Sequence, residues 1–313
     1  MPSHTDAVQA PSLQERFLGA YLGFASGDAL GATVEFMTAG EIRATFGVHN
    51  TIRGGGWLRL KPGQITDDTQ MCLAVGDAMI ASEATGGWDL RCVADGFVKW
   101  LRSRPVDIGN TCRRGIRRYM QDGSLHAPEL HDDAGNGALM RNLPVALGTP
   151  PVPLAELLEG HDPVFTQRSL EQGRITHGNI LSDASILMLG QLTRVLLAGG
   201  GVDDCHRVAE QWIRQHPKFN FTPWPGRTSG YVVDTVQTVL DGFFSASSLE
   251  ECIVSVVNRG GDADTTGALA GQLAGARWGI KAIPTHWVDK LDPSVRKKIS
   301  EQVEALLRLA VGQ

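Results

Sequence analysis

A chain of 313 residues with 42% hydrophobic and 20% charged residues has a globular composition and room for one large domain or two small ones. Its net charge of −5 gives bulk electrostatics no reason to select nucleic acid as a partner. The five cysteines (Cys72, Cys92, Cys112, Cys205 and Cys252) are scattered without a CxxC pair, which predicts reduced core thiols in a cytoplasmic protein, and neither a secretory leader nor a transmembrane segment is expected.

Residues 1–11 are polar and are expected to form a flexible N-terminal segment, with the folded domain occupying 12–313. Ser12-x-x-Glu15 is a capping box that opens a helix carrying Phe17, Leu18, Tyr21, Leu22 and Ala25. Met71, Val75, Ala78 and Met79 recur at helical spacing, as do Leu90, Val93, Phe97 and Leu101. Ile186, Leu189 and Leu196 follow a Ser182 cap, and Val208, Trp212 and Ile213 follow Asp203. Val232, Val236, Val239, Leu240 and Phe243 form a strong stripe, and Leu269, Leu273 and Ala276 a further one. Asp292-Pro293 sets a cap and a first-turn proline before Val295, Ile299, Val303, Leu306 and Leu307. Only Trp57 to Leu60 suggests a short extended piece. No glycine cluster separates a strand from a helix, so the Rossmann and P-loop fingerprints are absent, and no fixed-period repeat occurs. The pattern predicts one all-α domain, a compact multi-helix bundle, with function in the glycine-rich loops 47–66, 103–111, 121–137 and 216–230.

Two acidic clusters some 195 residues apart carry the chemistry: Thr66-Asp67-Asp68-Thr69 and Gly261-Asp262-Ala263-Asp264-Thr265-Thr266-Gly267. Each crowds two carboxylates with hydroxyls and contains no Lys or Arg, so the acids repel unless solvated, protonated or bridged by a cation. All the ligands on offer are hard oxygens, which favours Mg²⁺, Mn²⁺ or Ca²⁺ over Zn²⁺ or Cu²⁺. Taken singly, either cluster reads as a helix N-cap with acids in the first turn. An EF-hand is excluded, because the position that needs a bidentate Glu is Leu273. Both clusters precede a helical apolar pattern, so both lie where a loop enters a helix. If one folded unit brings them together, four carboxylates can hold two divalent ions.

With those residues in hand, the sequence resembles the ADP-ribosylglycohydrolase family. Gly19-Ala20-Tyr21-Leu22-Gly23 with Gly27-Asp28-Ala29-Leu30-Gly31 is similar to that family's first helix and turn, and the two acidic clusters are similar to its paired metal motifs. The strings Gly54 to Ile65, Ser103 to Asp107, Gly109 to Gly115 and Asp133 to Gly137 resemble the branch that acts on dinitrogenase reductase, the nitrogenase iron protein. The resemblance implies an all-α fold with a dinuclear metal cleft holding two divalent cations, Mn²⁺ or Mg²⁺. Its ligands would be Thr66, Asp67, Asp68, Asp262, Asp264 and Thr265. It implies hydrolysis of the N-glycosidic bond between ADP-ribose and an arginine of the iron protein. It also implies control by a PII-type signalling protein and an ammonium channel, with recruitment to a membrane through those partners. Two alternatives stand beside it: hydrolysis of another ADP-ribosyl linkage (serine-linked or small-molecule), and a non-catalytic ADP-ribose-binding homologue.

The same resemblance assigns the remaining positions. Asp107 becomes the candidate acid–base group, where the residues alone suggest an Asx-turn, and Glu35 lies at the cleft mouth. Gly109-Asn110-Thr111 and Gly135-Asn136-Gly137 are suited to bind the diphosphate, since glycine lets the backbone approach an anion; either is otherwise an ordinary turn. Tyr231 is implied as an adenine platform, although a lone Tyr at a helix start is more often core. His177 is either a cleft residue or a hydrogen-bonded structural one. Arg113, Arg114, Arg117 and Arg118 form a basic block on one helix, either a solvated face or a docking patch for an acidic partner.

Overall fold

The computed structural model describes residues 10–130 and 133–312. The N-terminal segment assigned to 1–11 therefore lies almost wholly outside the described residues. In chain order the helices are α1 (Leu13–Gly31), α2 (Ala39–Phe46), α3 (Asp67–Glu83), α4 (Leu90–Arg102) and α5 (Asn110–Asp122). There follow α6 (Leu143–Gly148), α7 (Leu154–Leu158), α8 (Pro163–Arg174), α9 (Ile180–Leu197) and α10 (Val202–Gln215). The last are α11 (Val232–Ser245), α12 (Leu249–Val257), α13 (Ala263–Trp278), α14 (Thr285–Lys290) and α15 (Pro293–Val311). Among the described residues there is no strand, only isolated bridges. The expected all-α domain is what the chain forms.

At the centre α1 and α13 run against each other backbone to backbone. Gly19, Gly23, Gly27 and Gly31 recur every fourth residue along one face of α1, and Gly267, Gly271 and Gly275 do so on α13. A Cβ added at Gly23 would sit 2.5 Å from the Gly271 carbonyl oxygen, and one at Gly271 would sit 2.1 Å from that of Gly23. Both helices are buried around almost their whole circumference, the signature of core rather than surface helices. The sequence stripe at Leu269, Leu273 and Ala276 captures only one face of α13. The packing has a functional consequence: the C-terminal end of α1, just before Glu35, is held beside the N-terminal end of α13, which carries Asp264. Gly271→Ala is therefore expected to destabilise the protein by about 1–3 kcal/mol or more, because backbone cannot yield as a flexible side chain does. Gly40→Ala, on exposed α2 with only Thr38 Oγ1 within 4 Å, serves as the neutral control. Thermal midpoints check this; equal midpoints for the two variants would refute the close-packing account.

The Ser12–Glu15 capping box is present, with Ser12 N donating to Glu15 Oε2 at 2.8 Å and Glu15 N to Ser12 Oγ at 3.2 Å. Asp292 caps α15 through Ser294 N. Two boundaries differ from the sequence reading. α9 begins at Ile180 because Asn179 is its cap, accepting from Leu181 N at 2.9 Å; Ser182 is inside the helix, buried, and donates to Gly135 O. Trp57 to Leu60 is not extended but a tight turn closed between Gly55 and Leu60, with Leu60 N to Gly55 O at 2.9 Å. Among the described residues one helix, α9, reaches the length and hydropathy of a membrane span, with mean hydropathy 1.4, but 72% of it is buried inside the fold. Its apolar surface is met by α8, α10, α11 and α13, so it is a core helix.

Candidate metal and substrate cleft

The two acidic clusters meet. Thr66 caps α3, with its Oγ1 accepting from Asp68 N at 3.4 Å and donating to Asp68 Oδ2 at 3.1 Å. From the other cluster, Thr265 Oγ1 donates to the same Asp68 oxygen at 3.3 Å. One carboxylate oxygen thus joins residues 197 positions apart. The first cluster does behave as a cap. The second does not: Asp262 stands at the N-cap of α13 but makes no capping bond from its side chain. It accepts instead from Asn136 Nδ2 at 2.5 Å. Asp264 Oδ1 accepts from Thr265 N at 2.9 Å.

A cleft of about 360 Å³ opens over these acids, lined by Glu35, Asp67, Asp68, Asp107, Asp262 and Asp264 and by no Lys or Arg. Glu35, Asp107 and Asp264 each bring one carboxylate oxygen within 4.8 Å of the others. The sequence gives Glu35 and Asp107 roles other than ligands, Glu35 near the metal acids at the cleft mouth; both stand beside Asp264. Asp107 Oδ1 also accepts from the adjacent Ile108 N at 2.7 Å, one residue on, so the Asx-turn that the residues alone suggest, which needs the N–H two residues on, is not formed.

Backbone donors are arranged differently from expectation. Gly109 precedes the first turn of α5, and its N–H points at Asp67 Oδ2 at 3.4 Å. Asn110 and Thr111 occupy that first turn, where N–H groups lack helical acceptors. The Thr111 hydroxyl is held by Asp133 at 2.6 Å. The Asn136 N–H, by contrast, is taken by Gly230 O at 3.1 Å, and its side-chain amide by Asp262 and Thr235. Within Gly135-Asn136-Gly137 the middle residue therefore braces the acids instead of offering a free donor. His177 lines the cleft and is also structural, buried, with Nδ1 2.7 Å from Thr176 Oγ1. Tyr231 is exposed at the edge, bridged to Gly135; its neighbour Gly230, not Tyr231 itself, is in the lining.

Three cleft-side residues escape the sequence reading. Asp28, fully buried on α1, accepts from Thr66 N, Thr69 N and Thr69 Oγ1, the last at 2.5 Å, and so fixes the loop that enters α3. A carboxylate that follows the small and apolar run Phe17 to Gly27 of α1 was the available signal. Phe36 and Trp57 flank the mouth, and Trp57 Nε1 donates to Glu35 Oε2 at 2.5 Å.

Electrostatics make this site costly without a cation. Burial pushes the Glu35 carboxyl up to about 8 despite the Trp57 N–H, with Asp262, Asp107 and Asp67 adding to the rise. Asp67 is pushed up to about 8 by burial, then by Asp107 and Asp28. Asp68 and Asp264 are held well above the usual carboxylate range, by burial first; Asp67, Asp28 and Asp262 then raise Asp68, and Asp68, Glu35 and Asp262 raise Asp264. Asp107 and Asp262 are also raised by burial. His177 offers no counter-charge, since burial and then Arg141 and Arg114 hold it well below its ordinary value. Asp68 Oδ1 is buried without a hydrogen-bond partner, which in a native structure needs an explanation. An all-oxygen donor set, an orphaned carboxylate oxygen and the absence of a lining cation fit hard divalent ions.

Fold and cleft define a class: an all-helical protein with an acidic site where two helix N-termini converge. The sequence profile of the ADP-ribosylglycohydrolase family matches residues 9–313, and the chain belongs to that family. It is 52% identical to the ADP-ribosyl-[dinitrogen reductase] glycohydrolase of Rhodospirillum rubrum, over 97% of this chain and 99% of that one. It is 29% identical to an ADP-ribosylarginine hydrolase of Serratia proteamaculans, over 93% of this chain and 79% of that one. A solved ADP-ribosylglycohydrolase-related protein complex superposes with a TM-score of 0.80 at 33% identity, covering 96% of this chain and 99% of its own.

Proposed function

We infer that this chain is an N-glycosyl hydrolase that removes ADP-ribose from a modified arginine of dinitrogenase reductase, returning the iron protein to its unmodified form. The observation that carries this is the end-to-end relationship to the Rhodospirillum rubrum glycohydrolase. A release assay with arginine-linked and serine-linked ADP-ribose tests it. Release from arginine alone is expected; preferential release from serine would transfer the chain to another linkage.

The reaction adds water at the ribose anomeric carbon, breaks the C–N bond and returns a proton to the departing guanidine. For the metal we propose two divalent ions, Mn²⁺ or Mg²⁺, held by Thr66, Asp67, Asp68, Asp262, Asp264 and Thr265; what supports this is the convergence of both clusters on Asp68. When bound, such ions orient hydroxyls and lower the pKa of water. The protein's part is positional. Asp28 and Asn136 hold the two acidic loops, and Gly109-Asn110-Thr111 offers α5's first turn to the diphosphate. Asp107 is the proposed proton carrier, with Glu35 beside it. For the substrate positions Gly135, Gly137, His177 and Tyr231, proximity to the cleft is the support. Control by a PII-type protein and an ammonium channel, with membrane recruitment through them, is also a proposal. Its support on this chain is a groove of about 460 Å³ on α5, lined by Arg113, Arg114, Arg117 and Arg118 and sharing Asn110 with the cleft.

Metal dependence has a pH signature. In the unfolded chain the acids ionise near pH 4, whereas folded and metal-free Glu35 and Asp67 keep their protons to about 8. Between those values the folded state binds more protons, so metal-free stability falls as pH rises, by about 1.4 kcal/mol per pH unit for each such group. From pH 7 to 8.5, above the histidine range, the thermal midpoint of EDTA-treated protein is expected to drop. Added Mn²⁺ should raise it more at pH 8.5 than at pH 7. Chelation should also abolish turnover, with Mn²⁺ or Mg²⁺ restoring it. A metal-free midpoint that climbs over this interval, or full activity after chelation, would contradict the assignment.

A further inference from the structure

The mouth of the cleft carries two large aromatic side chains whose ring faces the acids leave unused. Phe36 is 65% exposed and Trp57 52% exposed, and their rings pack at 5.3 Å between centroids, tilted by 49°. An exposed apolar patch at the rim of a polar groove marks a binding edge, and these two rings form one by contact at the cleft mouth. Their placement is imposed by backbone. Phe36 has φ of +63°, a left-handed conformation unusual for a bulky residue. It is held there by its N–H to Gly261 O at 2.7 Å, within the second acidic loop. Trp57 is set by Gly56, which lies so near the end of α1 that an added Cβ would be 2.3 Å from Ala32 O. Backbone strain retained at a site edge is a pointer to function.

We propose that Phe36 and Trp57 form a cation-recognition rim that takes the guanidinium of the modified arginine. The proposal rests on the hydrolase reading above and names what that reading leaves open, the part of the site that selects arginine. A ribosylated guanidinium remains a planar cation. Planar cations stack on aromatic faces, whose quadrupole is negative, and they pair with carboxylates. Here the two rings stand in front of the acids, and Glu35, bonded to the indole N–H, ties them to the reacting centre. A neutral serine linkage gains nothing from such a rim.

The test uses the Mn²⁺-loaded full chain with Phe36→Leu, Trp57→Leu and Trp57→Phe. Three probes are compared by competition and calorimetry: agmatine, which carries a guanidinium; 4-aminobutylurea, which keeps agmatine's ammonium and replaces the guanidinium with a neutral urea; and ADP-ribose. The wild type should bind agmatine in preference to 4-aminobutylurea. The two leucine variants should weaken agmatine and raise KM for arginine-linked ADP-ribose by roughly 3–30-fold, the span of a cation–π contact. ADP-ribose binding should hold within about twofold in both. Trp57→Phe keeps a π-face, so its agmatine affinity should stay near wild type, while losing the N–H to Glu35 should show in kcat. Parallel loss of ADP-ribose affinity would assign the rings to the nucleotide and overturn the proposal. Unchanged agmatine binding would overturn it too. Absence of wild-type turnover on the arginine linkage would defeat the hydrolase reading instead, and the agmatine–aminobutylurea comparison would still decide the rim.

Discussion

Asp264→Asn is expected to lower turnover at least about 100-fold while leaving the metal-free fold as stable as the parent or more so. The activity loss follows from its position. Asp264 is buried at the convergence of both clusters, within reach of Glu35 and Asp107. A lost ligand should cost more than the roughly 10–100-fold typical of groups that only orient ligands. The stability effect runs the other way. Burial, then Asp68, Glu35 and Asp262, holds the Asp264 carboxyl well above its ordinary range. Its ionised form is therefore disfavoured in the metal-free fold. Asn keeps an oxygen to accept from Thr265 N and removes the charge. Above pH 7 the EDTA-treated variant should melt no earlier than the parent, and Mn²⁺ should raise its midpoint by less. Thermal scans with and without Mn²⁺, beside kcat, decide it. Activity and metal-free stability falling together would make Asp264 an ordinary structural residue.

How much of this was legible depends on whether a signal is local. The Ser12–Glu15 box and the stripe of α11 are local, and both hold. The acidic clusters were legible as chemistry, because crowded carboxylates without a cation need an explanation wherever they occur. Their meeting was not, since the bond from Thr265 to Asp68 depends on α1 and α13 packing in between. That packing had a signal in the four-residue glycine spacing, but helices buried on every side present no amphipathic stripe to read. Helices α6, α7 and α14 span one or two turns, too short for a period. Thr38-x-x-Glu41 was readable as a second capping box, and α2 follows it. Asp28 and Trp57 act through partners 41 and 22 residues away, which no window along the chain exposes.

Asp107→Asn separates binding from chemistry and tests the assignment with the least local support. Asn is nearly isosteric and can still accept from Ile108 N, so the loop after α4 should keep its local contact. Only charge and proton transfer are removed. If Asp107 carries the proton, turnover should fall by roughly 10²–10⁴-fold, with ADP-ribose affinity little changed and one limb of the pH–rate profile gone. The structure adds a second signature. Asp107 is one of the acids that raise Glu35 and Asp67, so neutralising it should shift their titration to lower pH. A remaining limb that reports Glu35 should move in that direction. Three other outcomes carry distinct meanings. Weakened Mn²⁺ binding in step with turnover would place Asp107 in the ion's ligand set, as its cluster with Glu35 and Asp264 permits. Weakened ADP-ribose binding in step with turnover would make it a positioning residue and move the proton to Glu35. No change in either would leave Asp107 as a loop residue whose side chain only holds the neighbouring Ile108 N–H.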